Sequence, residues 1–182
     1  MANSTVMFGF RPVTSSGGDG AIQMTKYNIL AAYTAAIGIG DPVTLNASTG
    51  NVERWTDGDV LIGIAAQYRA AGAVSADADF MVYDDPNQIF EVRTLLADNT
   101  IVNLGDLVIG NAWPMTLGTV NATSGQSTTY LDSSGAAGVN LTGGIVWRGY
   151  QLGTGIDNDN TAANNVVHVK LATIAHYHTR QS

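Results

Sequence analysis

Cysteine is absent from the 182 residues, which excludes disulfides, thiolate metal sites and a cysteine nucleophile. Charge is scarce too: only 13% of residues carry one, and the formal net charge is −7. Lys26 and Lys170 are the sole lysines, and the arginines stand singly. A phosphate-binding surface needs clustered cations, so direct nucleic-acid binding is not expected. No apolar run approaches the roughly 20 residues of a spanning helix, and the Met1-Ala-Asn-Ser opening lacks the basic and apolar regions of a signal peptide. Neither membrane insertion nor secretion is expected. A chain of this length can bury a core. Without disulfides, its stability must come from packing or from association.

What is present is apolar, small and rich in turn formers: 45% hydrophobic residues and 21 glycines. Ile37-Gly-Ile-Gly-Asp-Pro-Val-Thr-Leu-Asn-Ala47 is echoed by Val102-Asn-Leu-Gly-Asp-Leu-Val-Ile-Gly-Asn-Ala112, with Gly40-Asp41 and the Asn46-Ala47 pair in register with their counterparts. Each copy reads as a Gly-Asp turn followed by a strand, which suggests related units over about 37–83 and 102–170. Short alternating runs bounded by Gly, Asn, Asp or Pro predict strands near 22–29, 42–46, 60–67, 79–83, 88–94, 107–110, 113–119, 143–151 and 166–175. The alanines of 30–36 allow at most one short helix. Residues 121–144 and 153–165 read as polar loops. The expected fold is all-β: a small antiparallel barrel or sandwich at 21–182, with an extended N-terminal arm over 1–20. The arm's apolar Val6-Met-Phe-Gly-Phe-Arg-Pro-Val13 segment would dock either as an edge strand of its own domain or on a neighbour.

No constellation compels an enzymatic reading. Asp84-Asp85-Pro86, with Glu91 beyond it, offers carboxylates for acid/base work, but Asp-Pro opens turns and adjacent strand residues face opposite ways. Asp157-Asn-Asp-Asn160 resembles the start of a calcium loop, yet His168 stands where the closing carboxylate belongs. His176 and His178 would share one strand face, as an interface pair or as two metal ligands lacking a fixed third. His168, between valines, reads as an outward strand position. The Asn-X-Ser/Thr triplets at Asn3, Asn46, Asn121 and Asn140 are the chance yield of such a composition. Trp55, Trp113 and Tyr150 open the alternative of a carbohydrate-binding module, but the preferred reading of Trp55, Trp113 and Trp147 is core or interface. No metal or other cofactor is expected.

Three phrases carry a family resemblance: Met1-Ala-Asn-Ser-Thr-Val-Met-Phe-Gly-Phe-Arg-Pro-Val13, Ile39-Gly-Asp-Pro-Val43 and Val82-Tyr-Asp-Asp-Pro-Asn-Gln-Ile-Phe-Glu-Val92. They resemble small structural proteins of tailed-bacteriophage heads. The Gly-Asp-X-Val run followed by Gly63-Ile-Ala65 is similar to the β-tulip capsid decoration proteins of the lambda type. The resemblance implies a non-enzymatic cement protein, a homotrimer on the outer surface of the head that braces major capsid protein against DNA pressure. The arm residues Val6, Phe8, Phe10, Arg11, Pro12 and Val13 would meet the capsid. Trp147, Tyr150, His176 and His178 would serve the oligomer interface. On this reading, removing residues 1–13 would leave the β domain folded. The chain is longer than the small lambda-type decorators and departs from them in its apparent duplication.

Overall fold

Short runs of β-branched and aromatic residues between Gly, Asn and Asp turns leave the backbone little choice but strands. The computed structural model describes residues 6–15, 22–72, 76–95, 112–132, 145–146 and 165–171. Among these there are twelve strands and no helix. In chain order they are β1 (Arg11–Ser15), β2 (Thr25–Ile29), β3 (Pro42–Leu45), β4 (Val52–Arg54), β5 (Leu61–Ala65) and β6 (Ala78–Tyr83). There follow β7 (Gln88–Leu95), β8 (Ala112–Trp113), β9 (Met115–Thr116), β10 (Tyr130–Asp132), β11 (Ile145–Val146) and β12 (Val166–Leu171).

The strands form two sheets packed as an all-β sandwich, with no closed barrel. One sheet is antiparallel in the order β2-β6-β5-β3-β4. The other runs β8-β11-β12-β7-β10-β9, and β1 adds to β7 on the edge it shares with β10. The β10–β7 pair is parallel; the remaining ladders are antiparallel.

Two apolar cores result. Between the sheets lie Phe10, Trp55, Leu61, Ile64, Phe90, Val92, Leu131, Val167 and Val169 with their neighbours. The five-stranded sheet curls around a second core of Ile29, Ile37, Val43, Val52, Ile62, Phe80 and Val82. Its outer strands approach closely enough for Asn28 Nδ2 to donate to Asn51 Oδ1 at 2.7 Å. β5 therefore buries both faces. Thr44 pairs with Leu61 and Val43 with Gly63, so Ile62 is the extra residue of a bulge. That bulge resets the alternation and lets Leu61 and Ile64 face one core while Ile62 and Ala65 face the other.

The N-terminal segment belongs to its own domain. β1 pairs with β7 through Arg11↔Glu91 and Pro12↔Phe90, an edge position where the missing proline N–H does no harm. Phe10 is 1% exposed and meets the Phe90 ring edge-on, centroids 6.5 Å apart. Phe10, expected among the capsid contacts, is a core residue. The expectation that removal of 1–13 would spare the domain is corrected with it.

Residues 30–36 form turns, within the expected limit of at most one short helix, as Arg69 Nη2 takes the carbonyls of Leu30 and Tyr33 at 3.1 and 3.0 Å. Two other expectations change. The strand expected over 113–119 is split into β8 and β9 at Pro114. The loop expected from 121 contains a hairpin turn and β10. The second Gly-Asp unit over 102–111, together with Trp147, Tyr150, Asp157, Asn160, His176 and His178, lies outside the described residues.

Phe10→Ala should lower unfolding free energy by about 3–5 kcal/mol, as for other buried phenylalanines. Urea denaturation measures it. An unchanged midpoint would mean that the segment is only loosely attached.

Candidate functional site

A buried carboxylate is the first place to look for chemistry, and Asp41 is 0% exposed. It closes a turn in which its own N–H donates to Gly38 O at 3.0 Å. Other segments converge there through the main chain. Phe10 N donates to Gly40 O at 3.0 Å and Gly40 N to Ala65 O at 2.9 Å. Ile39 N donates to Gly125 O at 2.8 Å and Ser127 N to Ile39 O at 2.9 Å. The approach is so close that a Cβ on Gly38 would sit 2.8 Å from Ser127 N, so only glycine fits.

The Asp41 side chain binds these segments to β4. Its Oδ1 accepts from Arg54 Nη2 at 3.0 Å, Ser127 Oγ at 2.5 Å and Thr129 Oγ1 at 2.9 Å. Its Oδ2 accepts from Gly38 N at 2.8 Å and lies 2.8 Å from Arg54 Nε. A carboxylate offers about four lone-pair directions. Four hydrogen bonds and the Arg54 ion pair already engage the group, as befits a structural carboxylate. Asp41 is the turn residue its sequence suggested, and also the electrostatic centre of the fold. Sequence reasoning missed its partners Ser127 and Thr129 because they looked like loop residues. The available signal was the period-two run Ser127, Thr129, Leu131, in which the inward positions are hydroxyls rather than alkyl groups.

Two arm residues, Phe8 and Arg11, gather over Glu91 and Arg93 of β7. Arg11 Nε lies 2.8 Å from Glu91 Oε1, and the Arg11 guanidinium stacks 3.6 Å above the Phe8 ring. Arg93 approaches the same ring at 5.3 Å. Across the β7–β12 ladder, His168 stands opposite Glu91. His168 is half-buried rather than fully outward, and its Nε2 has no hydrogen-bond partner among the described residues. Burial pushes its pKa below the ordinary 6.5, with Glu91 opposing the shift. Val6 and Val13 remain exposed.

The alternative sites do not assemble, and Asp84-Asp85-Pro86 opens the turn its sequence suggested. Asp84 accepts from Thr25 Oγ1 at 2.8 Å and Tyr27 Oη at 2.7 Å, which fastens the start of the β6–β7 turn to β2. Asp85 accepts from Asn87 N at 2.8 Å within that turn. Glu91 is held by Arg11. Trp55 and Trp113 are core residues and offer no ring face to a sugar. Among the described residues no group of three His, Asp or Glu side chains could hold a metal ion. No family model, curated protein or solved structure matches this chain.

Removing one partner of a buried ion pair strands the other, so Asp41→Ala should cost about 3–5 kcal/mol. Ser127→Ala, which removes one hydrogen bond to the charge, should cost about 1.5–3 kcal/mol. Urea unfolding at neutral pH checks both; equal, small effects would deny Asp41 its central position. Because the His168 pKa is lowered in the folded state, the unfolded chain binds more protons just below pH 6.5. Stability should therefore fall as pH falls through that range. His168→Gln should shrink the difference in urea midpoint between about pH 7.5 and about pH 5.5. An undiminished difference would place the acid sensitivity elsewhere.

Proposed function

We propose that this chain is a structural, non-enzymatic virion protein that seats on the outer surface of a phage head and cements neighbouring major capsid proteins. The carrying observation is where exposed apolar surface falls. The exposed large hydrophobic residues among those described are Val6, Val13, Ile22 and Met24, with Val6 69% and Met24 50% exposed. All lie within the N-terminal stretch that leads into the edge strands β1 and β2. Surface of this kind, concentrated in one segment of a sparsely charged chain, favours a protein partner. The head-protein phrases over 1–13, 39–43 and 82–92 give the same reading a family context.

In this reading the segment works in two halves. Phe10 and the Arg11–Glu91 pair root it on its own sheet. Val6 and Val13 then face the capsid, with the exposed Ile22 and Met24, just before β2, contributing as well. Edge strands that can accept an extended partner strand would supply main-chain hydrogen bonds with little need for charge. As a homotrimer, three such weak attachments around one axis reinforce each other, since the first makes the others intramolecular. Binding only to the assembled lattice stabilises that lattice by mass action. The carbohydrate-binding alternative now rests on Tyr150 alone, since Trp55 and Trp113 are buried.

Cosedimentation of the purified protein with heads assembled without it tests the proposal. Wild-type protein should bind, and Val6→Asp combined with Val13→Asp should weaken binding at least about tenfold while leaving the unfolding midpoint in place. Failure of the wild-type protein to bind would dispose of the virion reading. Undiminished binding by the double variant would dispose of the N-terminal contact alone.

A further inference from the structure

Three strands place three ionisable side chains in one row. β1 pairs with β7 through Arg11↔Glu91, and β12 pairs with the other edge of β7 through His168↔Glu91. Residues directly opposite each other in an antiparallel ladder share a face, with Cβ atoms about 4.5–5.5 Å apart. Glu91 therefore has Arg11 on one side and His168 on the other. Their chain neighbours Phe10, Phe90, Val92, Val167 and Val169 turn the opposite way, into the core.

Only half of the row is bonded. Arg11 Nε lies 2.8 Å from Glu91 Oε1, whereas His168 Nε2 is buried and has no hydrogen-bond partner. Two cations share this face with His168: Arg93, two residues beyond Glu91 on β7, and Lys170, two residues on along β12. β11, on the other side of β12, sets uncharged Val146 opposite Lys170, and Arg148 lies outside the described residues. Asp132 of β10 stands at Leu95, across β7 from β12. Among the described residues, Glu91 is thus the carboxylate directly facing the imidazole.

Protonation changes what the row must satisfy. An imidazolium carries a donor on both ring nitrogens, and a buried N–H without an acceptor is costly. Burial opposes the charge on His168, and Glu91 favours it. The Arg11 side chain, by contrast, is 50% exposed, so water can replace its ion pair at little loss. The carboxylate gains more from the buried donor than from the exposed one. We propose that Arg11, Glu91 and His168 form an acid-sensitive latch: protonation of His168 draws the Glu91 carboxylate to Nε2 and releases Arg11 from β7. The Phe8 ring, stacked on the Arg11 guanidinium, comes away with it, while Phe10 stays in the core. On the virion reading, Val6 would then lose its fixed position in acid; the test below does not depend on that reading.

Hydrogen exchange of the Arg11 Nε–H, followed by ¹⁵N NMR on the full-length protein and corrected for the intrinsic effect of pH, reads the latch. Between about pH 7.5 and about pH 5.5, either side of the ordinary histidine value, its protection should fall about two- to fivefold, the range set by an exposed ion pair. The amides of Val92 and Val169, inside the β7–β12 ladder, should keep theirs. His168→Gln should retain the high protection of Arg11 at both pH values, and Glu91→Gln should show low protection at both. Unchanged protection in the wild-type protein overturns the proposal. So does a rise in acid, which would mean that Glu91 holds both cations at once. A fall that persists in His168→Gln assigns the titration to another group and overturns it. A matching fall at Val92 and Val169 does the same, since the sandwich as a whole would then be loosening.

Discussion

The Asp41 carboxylate, fully buried and bonded to Arg54, Ser127, Thr129 and the Gly38 amide, is the constraint on which the rest of the fold depends. Taking a charge out of water is costly, and the attraction of a single partner seldom offsets it. Here four hydrogen bonds and an ion pair converge on the carboxylate, so the charge becomes a specification of geometry. The turn at 38–41, strand β4 and the hairpin after β9 can satisfy it only when all three are in place. The backbone crossing beside it adds Phe10 and Ala65 to the same junction. Residues far apart in the chain are thereby drawn to one point, which ties the two sheets together independently of their apolar packing.

That junction also explains where binding surface is left. Because β5 is buried on both faces, it has no outward side chains to offer a partner. Apolar surface remains at the periphery: the residues leading into β1 and β2, and the tip of the β3–β4 hairpin. The sandwich interior is spent on stability, and recognition falls to edges and loop tips, where sequence is freer to vary.

Two loops of like sequence, Asn46-Ala-Ser-Thr-Gly50 between β3 and β4 and Asn121-Ala-Thr-Ser-Gly125 between β9 and β10, show how local sequence and tertiary setting divide the work. Asn-Ala, two hydroxyl residues and a glycine produce the same turn twice, because an Asn side chain capping two amides and a glycine at positive φ are local requirements. Whether the turn ends up packed or open depends on residues distant in the chain. Tyr68 packs against Gly125 of one loop, and nothing described lies within 4 Å of where a Cβ would project from Gly50 of the other.

By itself the sequence determined the all-β class, most strand positions, the turn at Asp84-Asp85-Pro86 and the lack of clustered cations, because each follows from short-range periodicity, turn chemistry or composition. The approximate positions of β3, β5, β6 and β7 were legible for that reason. β4 and β10 were not, since each is three residues long and β10 follows inward-facing hydroxyls. Only the tertiary structure decided that Phe10 is core, that Trp55 and Trp113 are not a sugar platform, and that Asp41 is an electrostatic centre as well as a turn residue. Burial and hydrogen-bond partnership depend on which distant segments meet, and period-two patterns say which face a residue takes without saying what lies across from it.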